Sequence, residues 1–330
     1  MQFSILELGR VREGSDRRTA LDEARDLARH AEALGYRRFW VAEHHNMPTV
    51  TTAATSIVIA HIAAGTSAIR IGAGGIMLPN HAPYVIAEQF GTLATLFPGR
   101  IDLGLGRAPG TDQATLRALR RDPQNAEHFP QDVQELQAYL APVRAGQRIE
   151  AVPGSGTEVP LWILGSSLFG AQLAAELGLP YGFASHFAPQ MLDRALEVYR
   201  ARFRPSAQAS RPYALVGVNI IAAPTDDEAR FLASSQQMSF ADLFRGARRL
   251  TQPPVADIDA YWSPQEKLQA SSMLACSIVG SPDTVRRGIA ELRERTQADE
   301  LMVVSDVFDP QLRRRSFQLI AEVAGLSPQA

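Results

Sequence analysis

Short apolar runs alternate along the chain with longer stretches whose apolar positions recur every three or four residues. Gln2 to Leu8 reads as a buried strand, bounded by Gly9 and a charged loop. From Arg17 to Leu34, residues Ala20, Leu21, Ala24, Leu27, Ala28, Ala31 and Leu34 fall on one helical face, with Asp16 placed as N-cap and Gly35 just past the end. The same strand-then-helix unit repeats as Arg38–Ala42 with Ala53–Ala64, Ile69–Gly74 with Ala82–Leu96, and Ile101–Leu105 with Gln131–Leu140. After a Gly/Pro-rich excursion from Gly146 to Pro160 come Leu161–Leu164 with Phe169–Leu177, and Tyr181–Ala184 with Pro189–Phe203. Tyr213–Ala222 with Asp226–Ser239, and Glu300–Val304 with Pro310–Ala324, complete eight units. Eight alternations predict an α/β fold, a (β/α)8 TIM barrel.

The pattern loosens between Phe240 and Ser277, around Pro253-Pro254 and Trp262-Ser263-Pro264, and a further amphipathic helix, Pro282–Thr296, precedes the last strand. This is an insertion in the seventh unit, about 240–277, read as a substrate-covering lid or a disordered loop. With no other repeat and no low-complexity tract, residues 1–330 are expected to form one domain.

Composition narrows the partner. Thirty-three basic against 35 acidic residues leave a net charge of −2, too little field to gather nucleic acid or an anionic membrane. Cys276 is the only cysteine, which excludes an internal disulfide framework and suits a reducing compartment. No apolar run reaches the roughly 20 residues of a membrane span, and the N-terminus lacks a signal-peptide pattern. A cytoplasmic protein with a small-molecule partner is expected.

In a barrel, chemistry gathers where strands end. The second strand runs into Glu43-His44-His45, whose adjacent side chains point to opposite faces of an extended backbone. The remaining histidines (His30, His61, His81, His128, His186) show no ligand spacing, so no metal is expected and His44 is either catalytic or a structural hydrogen-bonding group. The third and fourth strands end in Gly72-Ala73-Gly74-Gly75 and Gly104-Leu105-Gly106-Arg107-Ala108-Pro109-Gly110, where glycines allow close approach to the backbone. Arg107 offers a planar fork for a phosphate or carboxylate, or is an ordinary surface arginine. Gly165-Ser166-Ser167 before a helix presents hydroxyls and free N–H groups to an anion, unless the serines only cap that helix. Neighbouring strands lie about 4.8 Å apart, so Arg107 can share that spot. Ala184-Ser185-His186 ends the sixth strand, with His186 either walling a pocket or lying at the surface. Thr225-Asp226-Asp227-Glu228 opens a helix and reads as capping. Strand ends hold no carboxylate pair suited to glycoside hydrolysis.

These segments, with Trp40-Val41-Ala42-Glu43-His44-His45, Ile76-Met77-Leu78-Pro79 and Ala174-Ala175-Glu176-Leu177-Gly178-Leu179-Pro180, resemble the flavin-dependent oxidoreductases similar to bacterial luciferase, from the first strand to the last helix. The resemblance implies that His44 lies at the reactive face of the flavin as a base or a stabiliser of an oxygen intermediate. It implies a non-proline cis peptide at Gly74–Gly75 beneath the ring, and a flavin phosphate held by Arg107, Ser167 and the backbone near Gly170. Ser185 stands where luciferase has an aromatic residue beside the ring, so light emission is not implied. A homodimer through helices Ala53–Ala64 and Ala82–Leu96 is implied as well.

The function expected is a monooxygenase that takes reduced FMN from a separate reductase and uses O2 to oxygenate a small organic substrate. Leu8, Met77 and His186 would line the substrate pocket. No Gly-x-Gly-x-x-Gly fingerprint opens a βαβ unit, so no resident nicotinamide domain is indicated. The alternatives are a deazaflavin-dependent hydride-transfer enzyme and a non-catalytic flavin-binding protein.

Overall fold

A computed structural model describes residues 1–108 and 111–328; Pro109 and Gly110, which close the glycine-rich end of the fourth strand, lie outside the described residues. The elements run β1 (Gln2–Glu7), α1 (Arg17–Leu34), β2 (Arg38–Val41), α2 (Thr55–Ala63), β3 (Arg70–Met77), α3 (Pro83–Leu96), β4 (Ile101–Gly106), α4 (Gln113–Ala118) and α5 (Phe129–Leu140). Then follow β5 (Leu161–Gly165), α6 (Leu168–Leu177), β6 (Tyr181–Phe183), α7 (Leu192–Arg202), β7 (Ala214–Ala222) and α8 (Asp226–Arg245). The chain ends with α9 (Pro264–Met273), β8 (Ile278–Gly280), α10 (Pro282–Thr296), β9 (Glu300–Val304) and α11 (Pro310–Ala324). Among the described residues the strands pair in parallel throughout, and β6–β7, β7–β9 and β9–β1 close the eight-stranded barrel.

The insertion does fall in the seventh unit, but it is more regular than its sequence suggests. Helix α8 continues past Ser239 to Arg245, α9 follows, and the short β8 pairs with the end of β7 at Ile220–Ile278. The caps are where the sequence puts them. Asp16 accepts from the Thr19 N–H, Gly35 turns left-handed at φ 87°, and Thr225 accepts from the Glu228 N–H. Among the described residues no helix is long and apolar enough to cross a membrane.

Alternation along the strands sorts side chains into two populations. Phe3 and Ile5, Phe39 and Val41, Leu103 and Leu105, Val216 and Val218, and Leu301 and Val303 point outward and pack under the helices. Leu6, Trp40, Trp162, Leu215 and Met302 point inward and fill the barrel's middle. Below them lies a buried polar layer. Arg38 Nη1 meets Asp102 Oδ2 at 2.7 Å and its Nε meets Glu300 Oε1 at 3.1 Å, while Arg70 Nη2 meets Asp102 Oδ1 at 2.6 Å. Trp40 Nε1–H donates to Asp102 (3.2 Å), Tyr213 OH donates to Glu300 (2.8 Å), and Ser4 also donates to Glu300. The Arg38 guanidinium stacks over the Trp162 ring at 4.7 Å. Burial opposes its charge, but Glu300 and Asp102 prevail and hold its pKa above the ordinary value.

Candidate active site

At the opposite end the inward positions are small. Ala42, Gly74, Gly75, Gly106 and Ala184 border a cavity of about 600 Å³ above the filled middle of the barrel. Leu8 and Met77 line it, with Met47, Phe187 and Phe240 adding apolar wall. The cavity thus owes its existence to missing side chains on strands whose backbones are fixed by their ladders.

The β2 end supplies its first polar group. His44 is half-buried and lines the cavity. Burial, then the charge of Arg10, lowers its pKa, so the imidazole is neutral at neutral pH. The flanking side chains turn the other way and meet His81, which the sequence spacing gave no reason to place beside them. His45 Nε2 lies 2.7 Å from Glu43 Oε1 and His81 Nε2 lies 3.0 Å from both Glu43 oxygens. The barrel brings the two loops together because β2 and β3 are neighbours. Burial pushes the Glu43 carboxyl up, but hydrogen bonds from His45 and His81, the His81 charge and the Met77 N–H outweigh it and bring it down to about 2. An ionised carboxylate only accepts, so both imidazoles donate Nε2–H to it. Met77 N–H donates to Glu43 Oε2 at 3.0 Å, and the Glu43 N–H donates to the Gly75 carbonyl at 3.1 Å. Glu43 therefore ties the β2 end to the glycine floor and aims His44 at the cavity. The Gly74–Gly75 peptide is cis. The same three side chains bring two imidazole nitrogens and a carboxylate within 4.8 Å of one another, a donor set that also matches a metal site, although each Nε2 stands at hydrogen-bond distance from the carboxylate.

The β4 and β5 ends form the opposite wall. Arg107 is exposed, its guanidinium 4.0 Å above the Phe169 ring, and among the described residues it makes no ion pair or hydrogen bond. Ser167 is the N-cap residue of α6, yet its hydroxyl makes no capping bond. The serine is thus not consumed by its helix. Gly170, in the first turn, is buried, and a Cβ there would sit 3.3 Å from Tyr181 Cε2. A cation on an aromatic platform, a free hydroxyl and a helix N-terminus face one end of one cavity.

On β6 the outcome is mixed. His186 and Phe187 line the cavity, but Ser185 does not. Ser185 is fully buried behind the strand, donating to the Gly217 carbonyl at 2.6 Å. The expectation of Ser185 beside the ring is corrected: past the end of β6 the chain turns at residues 185–187, and that turn carries Ser185 away from the cavity while His186 and Phe187 face it. Four polar residues of the cavity wall, Arg10, Asn219, Gln236 and Asp306, carried no signal in the sequence. Arg10, held by a backbone bridge to Val50, pairs through Nε with Asp306 Oδ2 at 2.8 Å. Asn219 donates to the His186 carbonyl and accepts from Gln236 Nε2 at 3.0 Å. The segment after α8 crosses above these groups, with Thr251 backbone bonded to Val11 and Glu13, and Arg248 donating to Asn46.

A family model for luciferase-like monooxygenases matches residues 1–300. A "Luciferase-like monooxygenase" of Escherichia coli (strain K12) is 50% identical over 322 residues, covering 97% of this chain and 96% of that one. The structure of apo-MsnO8 is 37% identical with a TM-score of 0.93, covering 99% of both chains. The oxygenating constituent of 3,6-diketocamphane monooxygenase from Pseudomonas putida, a structure in complex with FMN, is similar in fold alone, at 19% identity and a TM-score of 0.72, with 100% and 98% covered. The chain belongs to the luciferase-like monooxygenase family.

Proposed function

We propose that this cavity binds reduced FMN and that the protein is the oxygenating component of a two-component monooxygenase. One juxtaposition supports it. An anion clamp of Arg107, Ser167 and the α6 N-terminus stands at one side of the cavity, the side-chain-free floor Gly74–Gly75 lies between, and neutral His44 stands beyond. A planar ring carrying a phosphate tail suits that order of features. A Cβ on Gly75 would lie 2.6 Å from the Gly104 carbonyl oxygen, so this floor admits no side chain.

Reduced FMN supplies the two electrons that let O2 give one oxygen atom to an organic substrate and the other to water. The chain's own residues do the rest. Arg107 and Ser167 hold the phosphate, the floor excludes water from one ring face, and His44 accepts or returns a proton at the cavity. The absence of a dinucleotide fingerprint in the sequence supports a separate reductase as the source of reduced flavin. A homodimer through α2 and α3 belongs to the same reading, since Ile57, Val85 and Leu96 there are 70%, 42% and 62% exposed. So does a cytoplasmic location.

Anaerobic titration with reduced FMN, then rapid mixing with O2 while flavin absorbance is followed, tests the reading. Binding followed by a transient distinct from oxidised and reduced flavin is expected. Binding without a transient points to a flavin carrier, and binding of deazaflavin alone to the hydride-transfer alternative. His44→Ala should bind reduced FMN normally and lose about 100-fold in turnover, the range of general acid–base catalysis; full activity removes His44 from the chemistry.

A further inference from the structure

Leu215 and Asn219 point into the barrel, so Gly217, two residues from each, is the inward position of β7 that lacks a side chain. Its space is taken by an imidazole. A Cβ on Gly217 would lie 2.5 Å from His186 Nδ1 and 3.2 Å from His186 Cε1. The same strand holds the backbone, with Asn219 donating to the His186 carbonyl at 2.5 Å and Gln236 of α8 donating to Asn219. The Phe187 ring meets the imidazole edge-on at 4.8 Å.

We propose that His186 is the substrate-facing hydrogen-bond donor of the cavity and that Gly217 is the residue that seats it. Nδ1 is buried against the Gly217 methylene with no partner among the described residues, whereas Nε2 is not closed off in this way and belongs to a ring that lines the cavity. An N–H pressed against a methylene would forfeit a full hydrogen bond, whereas a lone pair there loses less, so the proton sits on Nε2 and points at the bound molecule. The groups facing the ring are Asp306, His44 and Arg10; burial outweighs the favourable Asp306 charge and holds the imidazole pKa at about 4. His186 therefore remains a neutral donor at physiological pH. Arg10 and Asp306 already pair with each other, leaving no uncompensated charge among the described residues at this end of the cavity. The group received is thus an uncharged acceptor, such as a carbonyl or ether oxygen, on an otherwise apolar substrate. That substrate assignment rests on the proposed function, although the donor and its seat do not.

Matched small molecules test it, with cyclohexanone as acceptor and chlorocyclohexane as a ligand of similar size and weak acceptor strength. Chemical shifts of the Asn219 and Gln236 side-chain amides, which line the cavity and are present in every variant, report binding of each. The ketone is expected to bind about 5- to 10-fold more tightly, the share of one neutral hydrogen bond. The preference should vanish in His186→Phe, vanish in Gly217→Ala, whose Cβ displaces the ring, and largely return in His186→Gln, which restores an N–H donor. The double variant Gly217→Ala/His186→Phe should lose no more than either single one. Equal binding of the two molecules, binding of neither, a preference that survives His186→Phe, or an Nδ1–H tautomer in the imidazole nitrogen spectrum overturns the proposal. Reduced-FMN affinity, read in the same variants, is expected to be unchanged; its failure in the native protein would count against the flavin reading and leave the donor and seat to stand on the ketone preference.

Discussion

The two ends of this barrel are built on the same eight strands and make opposite choices at the inward positions. At the lower end these positions carry Arg38, Arg70, Asp102 and Glu300, roofed by Trp40 and Trp162 whose rings meet edge-to-face at 5.1 Å. At the upper end they carry Ala42, Gly74, Gly106 and Ala184 around an open cavity. One end is filled with groups that satisfy one another; the other is emptied so that a ligand can satisfy what remains. A filled layer and an open cavity are thus separated along the barrel axis, as the architecture permits.

The harshest break of that contrast is Asp102→Ala. It leaves Arg38, 9% exposed, with only Glu300, and Arg70 without a carboxylate. Removing one partner from a buried ionic network typically costs about 3–5 kcal/mol. A fall of that size in urea-unfolding free energy is expected, with reduced-FMN affinity of the folded protein unchanged. Native stability in the variant would mean that the lower layer is not where the barrel is held.

Acid separates two groups of the upper end. The His186 pKa is about 4 when folded, below an ordinary 6.5, so the unfolded chain takes up the proton first. Stability is intact above about pH 6.5 and declines as pH falls toward 4, by about 2–3 kcal/mol. Glu43 is also depressed, from 4.5 to about 2, so its contribution is complete above pH 4.5 and is lost between there and 2, by a similar amount. Unfolding free energy measured against pH should decline in two stages. His186→Gln should shrink the earlier one, leaving the smaller share of His44, whose pKa is also lowered by burial, and a profile unchanged by that substitution would show that the imidazole is not desolvated.

What could be read from the chain follows the same division. Buried parallel strands announce themselves as apolar runs and amphipathic helices as three- and four-residue spacings, so the barrel and its caps were legible. The three-residue β8 and six-residue α4 are too short to carry a period. The resemblance also located the cis peptide at Gly74–Gly75. Pairings across the site were hidden by chain distance, since Glu43 and His81 are 38 residues apart and Arg10 and Asp306 296. The order of the barrel carried a usable signal for the first of these, because consecutive strands are neighbours. Parity on β7 carried another, since its inward glycine marked the space that His186 fills. Ser185 and His186 follow β6 in a turn, where no alternation tells which of them faces the cavity.

The mildest test of the contrast removes a side chain that supports nothing. Arg107 is exposed, stacks only on Phe169 and has no polar partner among the described residues. Arg107→Ala should therefore leave the melting temperature within error, because exposed positions of this kind contribute little to stability. If the upper end holds the flavin phosphate, the same variant loses one charge-assisted interaction worth about 1.5–3 kcal/mol, roughly 10- to 100-fold in reduced-FMN affinity. Fluorescence titration under anaerobic conditions reads that loss directly. Unchanged affinity would move the phosphate away from Arg107, and a large drop in melting temperature would show that the upper end bears part of the stability assigned to the lower.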